Sequence, residues 1–235
     1  MIATAATPVR GYQVRLQCVR VAGGEDLHVR ALLDCQQYAD PDGGADAAGI
    51  SPANWPLFGQ VWPSSQKLAD LMQGYAFGER RILETGCGLA LASLVIHRRG
   101  GNVTASDCHP LTETFLRANL RLNGLDDLVY RTGHWQRVNP ELGKFDLIIG
   151  SDLLYERNQP GQLAAFIQVH AAERAEVLIV DPDRGNRSAF HRSMKQVGFG
   201  LTETTLDKPL ADGSPYRGRL MHYRRESRSR ASSVD

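Results

Sequence analysis

A pair of glycines set one residue apart follows a short apolar run, and this turn is the segment best suited to bind a ligand. The segment reads Ile82-Leu83-Glu84-Thr85-Gly86-Cys87-Gly88-Leu89-Ala90, which predicts a buried strand, a turn and the start of a helix. In doubly wound sheets, ligands bind outside the carboxyl ends of the strands, beside the first strand. Glycine suits such a turn because it adopts positive φ and has no Cβ to keep a ligand away from the backbone. A purely structural turn would contain the same two glycines.

A carboxylate at the end of the next predicted strand narrows the chemistry. Val103-Thr104-Ala105-Ser106-Asp107 ends in an acid 23 positions after Glu84. A carboxylate at that place can accept hydrogen bonds from both ribose hydroxyls of an adenosine, although a solvated strand-end acid is the alternative. Leu91 stands where a nicotinamide-binding turn has its third glycine. Glu84 also adds a negative charge beside the turn, which would repel the pyrophosphate of a nicotinamide cofactor. The pattern favours an adenosine ligand that carries cationic groups.

The elements that must position these groups alternate between strands and helices. Strands are predicted over residues 81–84, 102–106, 128–132, 145–150 and 176–180, with helices over 89–99, 110–122, 162–170 and 187–197. This alternation implies a mostly parallel sheet with right-handed crossovers. Two last strands, 199–205 and 217–223, leave no room for a helix between them and are expected to pair antiparallel at one edge. The predicted fold class is α/β, with a doubly wound, mostly parallel seven-stranded sheet.

The segment before this sheet has a different pattern. Residues 12–20 and 27–33 alternate apolar and polar side chains around Ala22-Gly23-Gly24-Glu25, which predicts a β-hairpin. Residues 40–52 are rich in Gly, Asp, Ala and Pro and are expected to form a loop with little means to build a core. A helix capped by Ser64 or Ser65 is then predicted to run toward Gln73.

Three segments follow from these patterns. We predict an N-terminal hairpin and loop extension over residues 1–54, a main domain over residues 55–223 and a disordered tail over residues 224–235. The tail carries four Arg and four Ser with almost no apolar residues, so it lacks the means to pack.

Composition excludes several classes of protein. The chain has 235 residues, of which 42% are hydrophobic, and Lys plus Arg (27) nearly balances Asp plus Glu (26), so binding of nucleic acid through bulk charge is not expected. No run of 18 apolar residues exists, and the first residues lack a signal-peptide pattern, so no membrane association is expected. The four cysteines form no CxxC pair or Cys/His cluster, which is typical of reduced thiols in a cytoplasmic protein without a metal site.

The glycine turn and the strand-end acid together resemble the class I (seven-β-strand) S-adenosylmethionine-dependent methyltransferases, over about residues 55–223. Further motifs narrow the resemblance to the protein lysine methyltransferase-like group, the methyltransferase-16 family. These motifs are Val61-Trp62-Pro63, Asn119, Asn123, Trp135 and the strand Phe145-Asp146-Leu147-Ile148-Ile149-Gly150 with its D-x-x-Y/F ending in Ser151-Asp152-Leu153-Leu154-Tyr155. The chain departs from the common family pattern at Trp62-Pro63, where many members have Trp-Asp.

The resemblance implies a Rossmann-like methyltransferase fold, S-adenosylmethionine as cofactor and a role for each matched residue. Gly86, Cys87 and Gly88 would line the methionine and ribose through backbone groups, and Asp107 would bind the ribose hydroxyls. Trp135 would flank the adenine, Ser151 would lie beneath the cofactor and Trp62 would close the pocket. The implied cofactor-binding set is Trp62, Glu84, Gly86, Cys87, Gly88, Asp107, Trp135 and Ser151. Plain core packing is the alternative role for the two tryptophans.

The residues after the predicted fourth strand are the candidates for the methyl acceptor site. A lysine must be neutral to attack, and its ordinary pKa is about 10.4, so the site must handle a proton. Asp152 and Tyr155, with Glu156 next, could orient an amine through hydrogen bonds and cation–π contact. An ordinary helix-capping role is the alternative for Asp152.

Three functions remain open at this point. The resemblance favours an enzyme that methylates a lysine side chain of a protein. The cofactor motifs equally suit a methyltransferase for a small-molecule metabolite, and a non-catalytic S-adenosylmethionine-binding module is the third possibility. The strand ending Ser-Asp-Leu-Leu-Tyr differs from the Asn/Asp-Pro-Pro-Tyr/Phe motif of enzymes that methylate bases, so a nucleic acid substrate is not expected. The sequence leaves the oligomeric state undecided.

Overall fold

A computed structural model describes residues 11–225 of the chain. The described part contains nine strands and six α-helices. The strands are β1 (Val14–Val19), β2 (Leu27–Leu32), β3 (Ile82–Thr85), β4 (Val103–Asp107), β5 (Val129–Thr132), β6 (Phe145–Ser151), β7 (Ala171–Asp181), β8 (Gly200–Leu206) and β9 (Gly218–Arg225). The helices are α1 (Gly44–Ala47), α2 (Pro63–Gly74), α3 (Leu91–Arg98), α4 (Thr112–Leu122), α5 (Gln159–His170) and α6 (Arg187–Gln196). Within the described part, no helix combines the length and the apolar character needed to cross a membrane.

The large sheet has seven strands in the order β5-β4-β3-β6-β7-β9-β8. Strands β3 to β7 pair in parallel, whereas β9 pairs antiparallel with both β7 and β8. The predicted fold class and the antiparallel pair at one edge are therefore confirmed. Strand β3 lies between β4 and β6, which places the switch point of the doubly wound sheet directly after β3.

Helices cover both faces of this sheet. Strand β6 shows the alternation: Leu147 and Ile149 join the core beneath α2, α3 and α4, while Ile148 joins the core beneath α5 and α6. Successive side chains of a strand point to opposite faces, so one apolar strand contributes to both cores. Packing on both faces of the sheet holds in place the strand ends at which the site lies.

The predicted hairpin is confirmed and is attached to helix α4. Strands β1 and β2 pair antiparallel, with Val14 opposite Leu32 and Val19 opposite Leu27. Asn119 accepts a hydrogen bond from the Arg30 amide (2.7 Å), and Asn123 accepts one from the His28 amide (2.9 Å). Both amide side chains also donate to the carbonyls of the same two residues, so two asparagines one helical turn apart satisfy the free edge of β2.

Several boundaries differ from the prediction. Helix α2 begins at Pro63 with Trp62 as its N-terminal cap, because proline is favoured in the first turn, so neither Ser64 nor Ser65 is the cap. The loop predicted over residues 40–52 contains the short helix α1. Strand β9 extends to Arg225 through its pairing with β7, so the first two residues of the predicted disordered tail belong to the sheet. The rest of that predicted tail lies outside the described residues.

Candidate active site

The glycine turn after β3 has the conformation that the sequence predicts, but for a partly different reason. Gly86 and Gly88 have φ of 58° and 51°, in the left-handed region that favours glycine. A Cβ on Gly86 would lie 2.6 Å from Cδ2 of Leu153, and a Cβ on Gly88 would lie 2.9 Å from the carbonyl oxygen of Phe58. The protein itself therefore makes the close approach that requires glycine, whereas a ligand was expected to make it.

Asp107 ends strand β4 and fastens this turn. Its Oδ2 accepts a hydrogen bond from the Gly88 amide (2.9 Å), and its Oδ1 accepts one from the His109 amide (2.9 Å). Burial raises the pKa of this carboxyl, while the backbone donors act in the opposite direction. An ionised carboxylate has about four acceptor positions, so the two backbone bonds leave Asp107 able to accept from a ligand.

Glu84 occupies a different place from the one expected. Its carboxylate accepts hydrogen bonds from the amide (2.7 Å) and the hydroxyl (2.5 Å) of Ser93, in the first turn of α3. The side chain is 1% exposed, and burial raises its pKa to about 7. Glu84 lies outside the set of residues that line the cavity described below. Its predicted contact with the cofactor is therefore corrected: the free amide of a helix N-terminus engages this carboxylate behind the turn.

The acceptor candidates follow strand β6, where the backbone turns sharply. Asp152 has a φ of 55°, and its amide donates to the carbonyl of Val180 (2.8 Å) on the neighbouring strand. The Asp152 carboxylate forms an ion pair with Nε of Arg184, which follows strand β7. Tyr155 is 42% exposed, so its ring lies at the rim of the site.

The loop after β6 is fastened by three polar side chains. Nδ2 of Asn186 donates to the carbonyls of Leu154 (2.9 Å) and Glu156 (3.1 Å). The Glu156 amide donates to the side chain of Gln159 (2.8 Å), and Nδ2 of Asn54 donates to the Glu156 carboxylate. These contacts link the loop to the segment after β7 and to the N-terminal extension.

One cavity of about 580 Å³ joins the ends of β3, β4 and β6. Nine of the predicted site residues line it: Trp62, Gly86, Cys87, Gly88, Asp107, Trp135, Ser151, Asp152 and Tyr155. The volume lies within the range of roughly 300–1,000 Å³ that is usual for small-molecule sites. The structure therefore brings the predicted site residues, except Glu84, to a single place.

Several aromatic side chains line the cavity. The Trp135 indole donates to the Thr85 hydroxyl (2.9 Å) and lies against the glycine turn. The Trp62 indole donates to the carbonyl of Leu57 (2.9 Å). His109 stacks on Phe58 at 3.8 Å between ring centroids, and burial lowers the His109 pKa to about 4, so this ring is neutral near pH 7.

Sequence reasoning missed other residues that line the cavity. They belong mainly to the loop before α2 and to the segments after β4, β5 and β7: residues 48–51, Asn54, Leu57, Phe58, Gln60, His109, His134 and Arg184. Arg184 had a signal in the sequence, because it follows a strand that ends at the same edge of the sheet. Among residues 11–225, no cluster of His, Cys, Asp and Glu could hold a metal ion.

The strand order and the site define the Rossmann-like methyltransferase fold. The magnesium protoporphyrin IX methyltransferase of Synechocystis with bound SAM superimposes with a TM-score of 0.56 at 15% identity, over 72% of this chain and 86% of that one. At this level of identity the likeness concerns the fold.

The sequence comparison identifies the family. The profile described as lysine methyltransferase matches residues 58–197, and the chain belongs to this family. The rat electron transfer flavoprotein beta subunit lysine methyltransferase is 28% identical over 173 residues, which are 70% of this chain and 64% of the rat protein. The Xenopus tropicalis protein N-lysine methyltransferase METTL21A is 26% identical over 155 residues, which are 63% of this chain and 71% of that protein. The chain thus matches somewhat less than two thirds of the length of the rat relative.

Proposed function

We propose that this protein transfers the methyl group of S-adenosylmethionine to a lysine side chain of a substrate protein. The observation that carries the proposal is the single cavity that joins the glycine turn and Asp107 to Asp152 and Tyr155. Membership of the lysine methyltransferase family and the names of both relatives support the same reaction.

The cofactor end of the cavity fits S-adenosylmethionine by its donor and acceptor groups. Asp107 faces the cavity with acceptor positions left for ribose hydroxyls, and Trp135 offers a flat indole for the adenine. Gly86, Cys87, Gly88, Ser151 and Trp62 all line the cavity. The three turn residues would present backbone groups for the remainder of the cofactor, with Ser151 beneath it and Trp62 closing the site. The Asp107 carboxylate also favours a ligand with cationic groups over a pyrophosphate.

When bound, S-adenosylmethionine supplies a methyl group already activated by its positively charged sulfur. The protein then mainly has to hold the acceptor amine in line, and alignment of this kind is worth roughly 7–11 kcal/mol. Asp152 can accept a hydrogen bond from the amine and hold its lone pair toward the methyl group. Tyr155 adds a ring face at the rim that can bind the incoming lysine ammonium, which must lose one proton to water at this open rim before the neutral amine can attack.

The open acceptor side favours a protein substrate over a metabolite. Tyr155 is 42% exposed and the Arg184 side chain is 38% exposed, so both can meet a surface larger than the cavity. A metabolite enzyme would instead be expected to enclose its substrate, since small-molecule sites bury most of the ligand surface.

We also propose a cytoplasmic location. The four cysteines of the chain are all free thiols, which suits a reducing compartment.

Two measurements test the proposed function. Calorimetry should give a dissociation constant for S-adenosylhomocysteine in the micromolar range or tighter, about 8 kcal/mol of binding free energy, and no binding of NAD. A cell lysate incubated with the protein and labelled S-adenosylmethionine should then acquire label on lysine side chains, and the Asp152→Ala variant should not label them. Binding of NAD alone, or label found only in small molecules, would refute the proposal.

A further inference from the structure

Arg184 is a cationic side chain at the acceptor end of the cavity that the proposed reaction does not use. It lines the cavity together with Asp152 and Tyr155. The Arg184 side chain is 38% exposed, whereas that of Asp152 is only 10% exposed. The guanidinium therefore lies between the buried carboxylate and the outside of the protein.

The segment after β7 holds Arg184 in this place. The Arg184 amide donates to Oδ1 of the fully buried Asp181 (2.7 Å). The preceding residue, Asp183, has a φ of 71° and is fixed by an ion pair with Arg187 (2.6 Å). Positive φ in a non-glycine residue persists only where the surroundings impose it, and such residues cluster at functional sites.

The Arg184 guanidinium has more N–H donors than its bond to Asp152 uses. Its Nε donates to Asp152, and within residues 11–225 its two Nη groups have no hydrogen-bond partner. Glu156, a neighbouring acid, is already bound by Asn54. A guanidinium carries five N–H groups in a planar fork, so the two Nη groups match the two oxygens of a carboxylate.

We propose that Arg184 determines specificity by binding an Asp or Glu carboxylate of the substrate protein beside the methylated lysine. This inference rests on the proposed function. The lysine amine would contact Asp152 while the neighbouring acid would contact the Nη groups of Arg184. Asp152 and Arg184 of the site then face a lysine and a carboxylate of the substrate, respectively. Arg184 would repel a substrate in which the lysine has basic neighbours instead.

The test compares the parent protein with Arg184→Gln, Arg184→Lys and a matched control, Arg157→Gln. Arg157 is exposed two residues after Tyr155 and does not line the cavity, so its variant removes the same charge nearby without touching Asp152. Lysines labelled by the parent protein in a lysate are located by mass spectrometry. A peptide carrying the best site is then made in two forms, with the neighbouring acid or with its amide.

We expect the parent and the Arg157 variant to methylate the acidic peptide at least about tenfold faster than the amide peptide. Arg184→Gln should reduce this preference to about twofold or less, with Arg184→Lys between them. The dissociation constants of both peptides, measured with S-adenosylhomocysteine present, should show the same pattern. Affinity for S-adenosylhomocysteine alone should stay within about threefold of the parent, which also shows that the variants are folded.

Other outcomes separate the two proposals. Labelled lysines without acidic neighbours, or an acid-to-amide change that leaves the parent rate unaltered, would overturn the role of Arg184 and leave the proposed function standing. An equal loss of rate on both peptides in Arg184→Gln would reduce Arg184 to a positioning partner of Asp152, which also overturns the inference. A parent protein that labels no protein lysine would overturn the proposed function itself.

Discussion

The two ends of the cavity are built in different ways. At the ends of β3 and β4, backbone amides of Gly88 and His109 hold the Asp107 carboxylate. At the ends of β6 and β7, the Asp152 carboxylate is held by the side chain of Arg184. Backbone donors are fixed by the fold, whereas an ion pair between two loops can be rearranged by a third charged group. The end proposed to bind the cofactor therefore belongs to the framework, and the end proposed to bind the acceptor is free to respond to a substrate.

Backbone strain is heavier at the end formed by β6 and β7, although it is not confined there. The cofactor turn obtains its positive φ from Gly86 and Gly88, at little cost. Three described residues other than glycine have positive φ: Ala90, which caps α3, and Asp152 and Asp183 at the acceptor end. Left-handed backbone costs such residues roughly 1–2 kcal/mol. Glycine would avoid this strain at positions 152 and 183, but it would lack the carboxylates that pair with arginine there.

Substitution at the glycine turn should have the largest effect on stability. In Gly88→Ala the new Cβ would lie 2.9 Å from the carbonyl oxygen of Phe58 with φ at 51°, so backbone must shift. We expect a loss of unfolding free energy on the order of 3 kcal/mol, measured by urea denaturation. The control is Gly161→Ala in α5, which meets no atom within 4 Å and should not destabilise the protein. Equal stability of the two variants would show that the turn is no part of the framework.

The buried acid behind this turn should make stability depend on pH. Burial raises the pKa of Glu84 from 4.5 to about 7, so the folded state holds this proton more tightly than the unfolded state. The free energy of unfolding should therefore fall as pH rises between these values, by on the order of 3 kcal/mol. Glu84→Gln keeps an acceptor for Ser93 and should remove this part of the fall, measured by urea unfolding at about pH 4.5 and pH 8. An equal fall in the free energy of unfolding in the parent and in Glu84→Gln would contradict the raised pKa of Glu84.

Removal of the strand-end acid should weaken ligand binding without unfolding the protein, although the Gly88 and His109 amides lose their acceptor. Asp107→Ala should weaken binding of S-adenosylhomocysteine by about 1.5–3 kcal/mol, since ribose hydroxyls lose a charged acceptor. Calorimetry on the folded variant measures this directly. Unchanged affinity would mean that Asp107 serves only to fasten the turn through Gly88.

The smallest effect on stability is expected at the acceptor end. The Arg184 side chain is 38% exposed, so water screens its ion pair, and a glutamine at this position can still donate to the less exposed Asp152 carboxylate. Arg184→Gln should therefore change the free energy of unfolding by less than about 1 kcal/mol in urea denaturation. If Arg184→Gln lost as much unfolding free energy as Gly88→Ala, the two ends of the cavity would not differ in their contribution to stability.

The same division explains what the sequence could predict. The glycine turn, the strand that ends in Asp107 and the strand that runs into Asp152 are local patterns, because they report backbone conformation and the alternation of a sheet. The mostly parallel sheet followed from the alternation of strands and helices, and the antiparallel pair at one edge from the lack of room for a helix before β9, whereas the order of the strands came from the structure. Each of these features depends on residues close together in the chain.

Contacts between distant loops were outside the reach of such patterns. Arg184 meets Asp152 across 32 positions, and Asn54 meets Glu156 across 102 positions. Glu84 was expected at the ligand because its charge and place beside the turn were visible, whereas its bond to Ser93 depends on how helix α3 packs. Side-chain pairing of this kind is decided by tertiary structure.

We propose that cofactor binding and acceptor orientation belong to separate ends of one cavity, and the Asp152→Ala variant tests this most directly. Affinity for S-adenosylhomocysteine and the rate of lysine methylation should be measured on this variant and on Asp107→Ala in parallel. We predict that Asp152→Ala binds S-adenosylhomocysteine within a few-fold of the parent and shows no turnover, because the lost contact acts on the transition state. Normal turnover by Asp152→Ala, or a loss of cofactor affinity as large as that in Asp107→Ala, would contradict the account.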